Sequence, residues 1–280
     1  MWAHNLIESI NMLPESFSYN KRFYIDAIIS ATQYSIGQIP HIDESRKRLK
    51  SIYNSEQLTN MPNDIVLLFA EDEKIKMAIL AMYKIDGKRN PITIFPFTNF
   101  PISKGGKKDI WSIYPFSFEI YGDNTCGASY DIPLCKYLGF KEGFENSEEF
   151  KVMLKLVGRT QVTTFQHFLM LINCKNVYTT EIAPPIKVNK KRIVFGKQPI
   201  YSYHILNVST SVNSQKRQSM ISDNHVRLHM CRGHFKQYFT NNALFGKYTG
   251  LYWWQPHLRG QNKDGFVDKD YKIETTEASA

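Results

Sequence analysis

The sequence predicts an α+β protein, with N-terminal helices and an antiparallel sheet followed by a short helical segment and a mainly antiparallel β C-terminal part. Two patterns indicate this class. Helical spacing of apolar residues is confined to a few segments, and from residue 64 onward short runs of β-branched and aromatic residues alternate with turn residues. Hydrophobic residues make up 42% of the 280 residues, which is enough to bury a core.

An N-terminal pair of helices is predicted first. Within residues 19–36, apolar side chains such as Ile25, Ile29 and Ile36 recur with helical spacing. Residues 41–53 have the pattern of a second, more polar helix. Four predicted strands then build the first sheet, with turns at Asp86–Gly87 and at residues 103–108. Their ranges are 65–70, 76–85, 91–97 and 110–121.

Residues 147–157 have the features of a helix start, since Ser147 precedes two acidic residues and a mixed apolar and basic run. Residues 165–173 are predicted to be a buried helix or helix end, which makes His167 a core or boundary residue. Short strand-like segments follow, and residues 208–222 show no period and are predicted to be a mobile loop. These segments are 176–182, 200–208, 226–238, 249–259 and 265–273. We therefore expect two domains, 1–145 and 146–280.

Charge is distributed unevenly between the two parts. The first 150 residues contain 16 basic and 19 acidic residues, a net charge of −3, whereas the remainder contains 19 basic and 7 acidic residues, a net charge of +12. Residues 187–259 alone hold twelve Lys or Arg and one acid, Asp223. Such local concentration of positive charge favours a polyanionic partner, above all nucleic acid, although a solvated basic face would give the same count.

Two C-terminal segments are predicted to pair as a hairpin across residues 241–250. If side chains alternate along 228–236 and 251–259, one face of each strand is the more cationic and the opposite face is the more apolar. Merging the cationic faces gives a surface for single-stranded RNA, with Trp253 free to stack on a base, while Pro256 marks an edge or a bulge. The predicted RNA-binding residues, including an upstream basic cluster, are Lys190, Lys191, Arg192, Lys197, Arg232, His234, Lys236, Trp253, Gln255, His257 and Arg259.

Three interpretations of the C-terminal histidines remain open. They could be neutral or phosphate-binding groups of a polar surface, or His234 and His257 could act as general acid and base of a metal-independent ribonuclease. A zinc site from His229, Cys231, His234 and His257 is chemically possible, but the spacing matches no zinc finger. We therefore expect no metal.

Several other classes are disfavoured. The sequence contains no phosphate-binding loop, dinucleotide fingerprint, G-x-S-x-G elbow or H-E-x-x-H motif, so no cofactor is expected. No run approaches the roughly 18 apolar residues of a membrane span. The four cysteines are widely spaced and lack a C-x-x-C pair, which is typical of a reducing compartment, and the N-terminus lacks a signal-peptide pattern, so a cytoplasmic location is expected.

The order of the C-terminal motifs resembles a group of phage and prophage proteins that share an R-G-H-(F/W) … W-x-x-P-H … G pattern and include a type V anti-CRISPR protein. The matching segments here include H-M-C-R-G-H-F (229–235), W-W-Q-P-H-L-R-G (253–260) and G-F-V-D-K-D-Y (265–271). Cys231 and Phe235 stand where such relatives often have Arg and Trp. The resemblance implies Arg232, Gly233, His234, Trp253, Pro256 and His257 as the matching positions.

What the resemblance implies is recognition of the nascent peptide of a CRISPR nuclease, followed by loss of its mRNA. We therefore expect a phage-encoded anti-defence regulator that acts on RNA or translation in the host cytoplasm. Its partners would be RNA, a ribosome or a nascent chain, and a host defence protein. The alternatives are the ribonuclease described above and an inhibitor that binds a host nuclease directly through its basic surface.

Overall fold

A nine-stranded mixed sheet, with helices on both of its faces, is the centre of the fold. The structure is a computed structural model that describes residues 2–38, 60–71, 75–83, 91–99, 110–122, 125–141, 143–209, 227–231, 233–259 and 261–266. For some of these, including 227–230, 257–259 and 261–266, only the backbone is described. The α+β class predicted from the sequence is confirmed.

Five α-helices occur in the described residues, joined by short 3-10 turns at Glu15–Phe17, Phe144–Asn146 and Thr240–Asn242. The helices are α1 (Ala3–Asn11), α2 (Ser18–Ser30), α3 (Ile132–Tyr137), α4 (Glu148–Ile172) and α5 (Ile186–Val194). The predicted helix at 41–53 lies outside the described residues.

The main sheet has the strand order β7-β6-β4-β3-β2-β1-β9-β8, and β5 pairs with β4. The strands are β1 (Thr32–Gln38), β2 (Ile65–Glu71), β3 (Lys76–Tyr83), β4 (Ile92–Asn99), β5 (Ser112–Ile113), β6 (Phe116–Ile120), β7 (Cys126–Tyr130), β8 (Val177–Ile182) and β9 (Tyr203–Val208). The C-terminal strands are β10 (Arg227–Cys231), β11 (His234–Tyr238), β12 (Gly250–Trp254), β13 (His257–Arg259) and β14 (Gln261–Phe266).

The end of the predicted first helix is a strand instead. Helix α2 ends at Ser30, Ala31 has extended dihedral angles (φ −71°, ψ 137°), and β1 then pairs in parallel with both β2 and β9. Its residues alternate β-branched or aromatic side chains with polar ones, which suits a strand between two neighbours. The predicted sheet was wholly antiparallel, and this insertion of β1 makes it mixed.

Strand β2 explains why the central strands are apolar throughout. Val66 and Leu68 contact the cluster under α4, while Leu67 and Phe69 contact the cluster under α1 and α2. Successive side chains point to opposite faces of a strand, so a strand covered on both faces needs apolar residues at every position.

Helix α4 is one continuous 25-residue helix, and it joins the two helical segments predicted at 147–157 and 165–173. The predicted cap is confirmed, since the Ser147 side chain accepts a hydrogen bond from the backbone N–H of Phe150 at 3.1 Å. Phe165, Phe168 and Leu169 are fully buried against the sheet.

The main sheet takes strands from both sides of the expected boundary between residues 145 and 146. Strands β8 and β9 join it through the pairing of β1 with β9. Independent folding of the two parts therefore stays a prediction. All but the first two residues of the predicted loop 208–222 lie outside the described residues. Among the described helices, none has the length and apolar character needed to cross a membrane.

Candidate nucleic-acid interface

The predicted C-terminal hairpin is present as two short ladders. Strands β11 and β12 pair antiparallel with His234 opposite Trp254 and Phe235 opposite Trp253. Strands β10 and β13 pair in the same antiparallel register as β11 and β12, with Cys231 opposite His257. The ladder is interrupted next to Pro256, which agrees with the expected bulge or edge, because proline has no backbone N–H to donate.

One face of the hairpin packs on the end of α4 and the segment that follows it. Phe235 and Leu251 are buried with Met170 and Cys174. The ring centroid of Trp253 lies 4.6 Å from that of Phe235, and both rings make edge contacts with His167. The prediction that His167 is a core or boundary residue therefore agrees with the structure.

Asn176 fixes the hairpin to the strand that follows it. Its side-chain amide donates to the carbonyl of Trp253 at 2.8 Å and accepts from the N–H of Trp253 at 2.9 Å. The backbone N–H of Lys175 also donates to the carbonyl of Leu251 at 2.8 Å. The amide side chain thus acts as a short strand partner for β12, so the hairpin is held directly beside the start of β8.

The register corrects the predicted grouping of side chains. Residues directly opposite each other in a ladder share a face, so His234 shares its face with Trp254 and Lys236 shares its face with Tyr252. Trp253 lies on the other face, where it is partly buried and packed against Phe235 and His167. Alternation along one strand does not reveal which face is buried. The prediction grouped His234 with Trp253, whereas the register groups it with Trp254, one residue further along the chain.

The face of the hairpin turned away from Phe235 is still aromatic and cationic. His234 and Lys236 are exposed, and the Lys236 ammonium lies 4.9 Å from the centroid of the Tyr238 ring. Tyr238 in turn makes an edge contact with Tyr252 at 5.7 Å. Burial, followed by the neighbouring phenols of Tyr248 and Tyr238, raises the pKa of Tyr252. This side of the hairpin, which we call the outer hairpin face, comprises exposed His234 and Lys236, partly exposed Tyr252 and Trp254, and buried Tyr238.

The ribonuclease hypothesis stays a prediction. It requires the side chains of His234 and His257 on one face. His234 lies opposite Trp254 in the ladder of β11 and β12, whereas the backbone of His257 lies opposite Cys231 in the separate ladder of β10 and β13. Arg232 lies outside the described residues. His257 and Arg259 are described by their backbone alone, so their RNA-binding roles stay predictions.

The upstream basic cluster forms a helix, α5, where a loop between strands was one expectation. Pro184 and Pro185 precede it, and proline fits the start of a helix because the first N–H groups have no intrahelical partner. The two prolines are therefore a helix-start signal in the sequence, which a prediction from charge alone does not use. Lys187, Lys190 and Lys191 are exposed on α5, and Lys197 is exposed just after it.

Arg192 anchors α5 and differs from the other basic residues. Its Nε donates to the carbonyl of Gln198 at 2.7 Å, and its Nη2 lies 3.7 Å from Oε1 of Glu8 on α1. Asn189 exchanges two 2.8 Å hydrogen bonds with the backbone of Ile200. With these two side chains turned toward the protein, the lysines occupy the solvent side of the helix.

The two basic groups stand at opposite ends of β8. The outer hairpin face lies beside residue 176 and α5 follows residue 182, so the six-residue strand β8, about 17 to 20 Å long, runs between them. Residues 178–182 are exposed, and the Tyr178 ring between the two groups is 54% exposed. In the described residues, the upstream cluster and the hairpin are thus two basic groups joined by an exposed edge strand.

Trp254 and Tyr252 are absent from the predicted RNA-binding residues, although they share a face with His234 and Lys236. The signal that could have placed them is the neighbouring Phe235, an apolar residue on a strand whose other face carries His234 and Lys236. In the described part of the chain, no cluster of three or more His, Cys, Asp or Glu side chains could hold a metal ion.

The fold and this surface together define an α+β protein with a basic helix and a basic, aromatic hairpin beside the edge strand of a mixed sheet. Comparison of the chain with protein-family models, with curated proteins and with solved structures finds no match.

Proposed function

We propose that this protein is a regulator that binds single-stranded RNA through α5 and the outer hairpin face and lowers expression of a target. The observation that carries the proposal is the set of exposed lysines on α5, presented on a helix whose opposite side is bonded to the protein. Because the backbone of α5 is already ordered, its lysines bind phosphates without a further loss of backbone entropy.

The outer hairpin face supplies the second element of an RNA site. Aromatic side chains beside cations are the usual combination for binding single strands, since bases stack on rings while cations hold phosphates. Trp254 and Tyr252 lie beside His234 and Lys236. Action at the level of translation, on the mRNA or nascent chain of a host defence protein, rests on the resemblance to the phage family.

Charge reversal on α5 tests the proposal. In fluorescence anisotropy with a labelled RNA of about 20 nucleotides, Lys187→Glu with Lys190→Glu should weaken binding strongly. It should also lower the slope of log K against log salt by about 1.4, because each phosphate contact to a single strand contributes about 0.7.

The matched control is Lys141→Glu with Lys155→Glu, which changes the net charge equally at two exposed positions away from α5. This control should keep the wild-type slope. Equal losses in both double variants would show that net charge alone governs binding, and failure of the wild type to bind RNA at low salt would refute the proposal.

Direct binding to an acidic protein is a second candidate, favoured by apolar residues exposed among the lysines of α5. Ile193 and Phe195 are 62% and 74% exposed, and Val194 is 82% exposed. A surface that mixes cations with exposed apolar side chains is typical of protein interfaces. Capture of a protein partner that survives nuclease treatment and is lost in Ile193→Ser with Val194→Ser would favour this candidate.

A further inference from the structure

A cavity of about 310 Å³ opens between α2, strands β4, β6 and β7, and α3. Its volume lies at the lower end of the range of small-ligand pockets, which is about 300 to 1,000 Å³. Six of the twelve residues that line it are aromatic, and we call it the aromatic cleft. They are Phe23, Tyr24, Phe95, Tyr114, Phe116 and Tyr130.

Two prolines account for the opening in the sheet. Strand β4 pairs with β6 as far as Ile94 and with β5 from Phe97. Between these pairings lie Pro96 on β4 and Pro115 between β5 and β6, neither of which can donate a ladder hydrogen bond. The ladder is therefore interrupted where Phe95 lies, and the ring of Phe95 lines the opening.

Three of the aromatic residues in the lining pack against one another. Phe95 makes edge contacts with Phe23 and Tyr24, at interplanar angles of 70° and 82°. A cation within about 6 Å of the centroid of such a ring is attracted by the face of that ring.

A carboxylate completes the aromatic cleft. Asp131 is the one residue with a formal charge among the described residues that line it. Its Oδ1 accepts from the N–H of Leu134 at 2.9 Å, and its Oδ2 accepts from the Asn20 amide at 3.0 Å. Each carboxylate oxygen can accept a further hydrogen bond, so these contacts hold the group in place and leave it able to bind a donor.

Tyr24 also lines the aromatic cleft and interacts electrostatically with Asp131. Burial, and then the negative charge of Asp131, raises the pKa of Tyr24. Its phenol therefore stays protonated at neutral pH and adds no second negative charge. An anion would meet the Asp131 carboxylate without a compensating cation in the lining, whereas a cation would be neutralised by it.

We propose that the aromatic cleft binds an organic cation with an alkylammonium or guanidinium head group, placed between the rings and the carboxylate of Asp131. The site is separate from α5 and the outer hairpin face, so it goes beyond the proposed RNA binding. The head group could belong to a free small molecule or to a methylated lysine or arginine side chain of a peptide.

Titration of the full chain with choline, observed by tyrosine fluorescence or calorimetry, tests the inference against the uncharged isostere 3,3-dimethylbutanol. Choline should bind about tenfold more tightly than the isostere, because the isostere keeps the shape and loses the charge. Short capped peptides that contain trimethyllysine or arginine form the other arms. Tighter binding of a peptide than of choline assigns the cation to a side chain, and tighter binding of choline assigns it to a free molecule.

Asp131→Asn separates charge from structure. Asparagine caps helices as well as aspartate does, so α3 should form, while cation affinity should fall about tenfold. Asp26→Asn, an exposed acid on α2 outside the lining, should leave affinity unchanged. Equal binding of choline and its isostere, unchanged affinity in Asp131→Asn, or failure of choline and both peptides to bind would overturn the inference.

Discussion

At the scale of single residues, Gly233 lies in close contact with Trp253 and Pro256. A Cβ atom at Gly233 would lie 2.7 Å from Cζ2 of Trp253 and 2.9 Å from Cδ of Pro256. Contacts this short require atoms to move, because packed interiors leave no space for an added methyl group. Gly233, Trp253 and Pro256 therefore act on packing, which is a different role from the nucleic-acid contact expected for Trp253.

Gly233→Ala should consequently destabilise the protein by about 1 to 3 kcal/mol, the usual range for overpacking. Urea unfolding measures the change. Gly127→Ala is the control, since a Cβ there would make ordinary contacts of 3.5 Å or more. The double variant Gly233→Ala with Trp253→Leu should lose less than the sum of its single changes, and full additivity would contradict the contact.

Cys174 gives a prediction about pH. Burial raises the pKa of its thiol to about 12 from an ordinary value of 9.0. Because the unfolded chain loses this proton first, the stability contributed by the neutral thiol is present below pH 9 and is lost as pH rises from 9 toward 12.

At pH 8, treatment with iodoacetamide followed by mass spectrometry should show that exposed Cys126 is modified and that buried Cys174 is not. Equal labelling of the two would contradict the burial.

At the scale of elements, α4 approaches β6 closely at Gly158. A Cβ there would lie 2.7 Å from Cε1 of Phe118. Alanine normally stabilises a helix by about 1 kcal/mol relative to glycine. We expect Gly158→Ala to lower the free energy of unfolding instead, because the ring of Phe118 is itself buried and has little room to move. Increased stability in urea unfolding would show that the helix can shift.

The elements differ in how far their sequences determine them. Strand β2 and the start of α4 were predictable, because continuous apolar character and a serine cap are local signals. The strand at residues 32–38 was not, since Ile25, Ile29 and Ile36 fit helical spacing and pairing with β2 and β9 comes from distant residues. For the hairpin, the sequence located the strands, whereas only contact with Met170 and Cys174 decides that Trp253 faces inward.

At the scale of the whole molecule, charge and packing divide the chain differently. The acidic and basic parts separate near residue 150, but the cluster that contains Val66, Leu68 and Ile79 is closed by Phe165 and Phe168 of α4. A fragment of residues 1–145 lacks α4 and exposes this cluster. It should therefore fail to unfold cooperatively in urea, and a cooperative transition as steep as that of the full chain would show independent domains.

The aromatic cleft also shows a limit of prediction from sequence. F-P-F at 95–97 and Y-P-F at 114–116 are both visible as strand-like segments that contain proline. That the two prolines open a common gap beside Asp131 follows from the pairing of β4 with β5 and β6, which neither segment encodes alone.

RNA binding by α5 and the outer hairpin face is tested by ultraviolet crosslinking of the full chain to a single-stranded RNA, followed by mass spectrometry of the crosslinked peptides. We expect crosslinks in β12 at Tyr252 or Trp254 and in residues 186–197, with none at Trp253. Crosslinks confined to α1, α2 and strands β2 to β7, or crosslinks at Trp253 with the outer hairpin face unmodified, would contradict it.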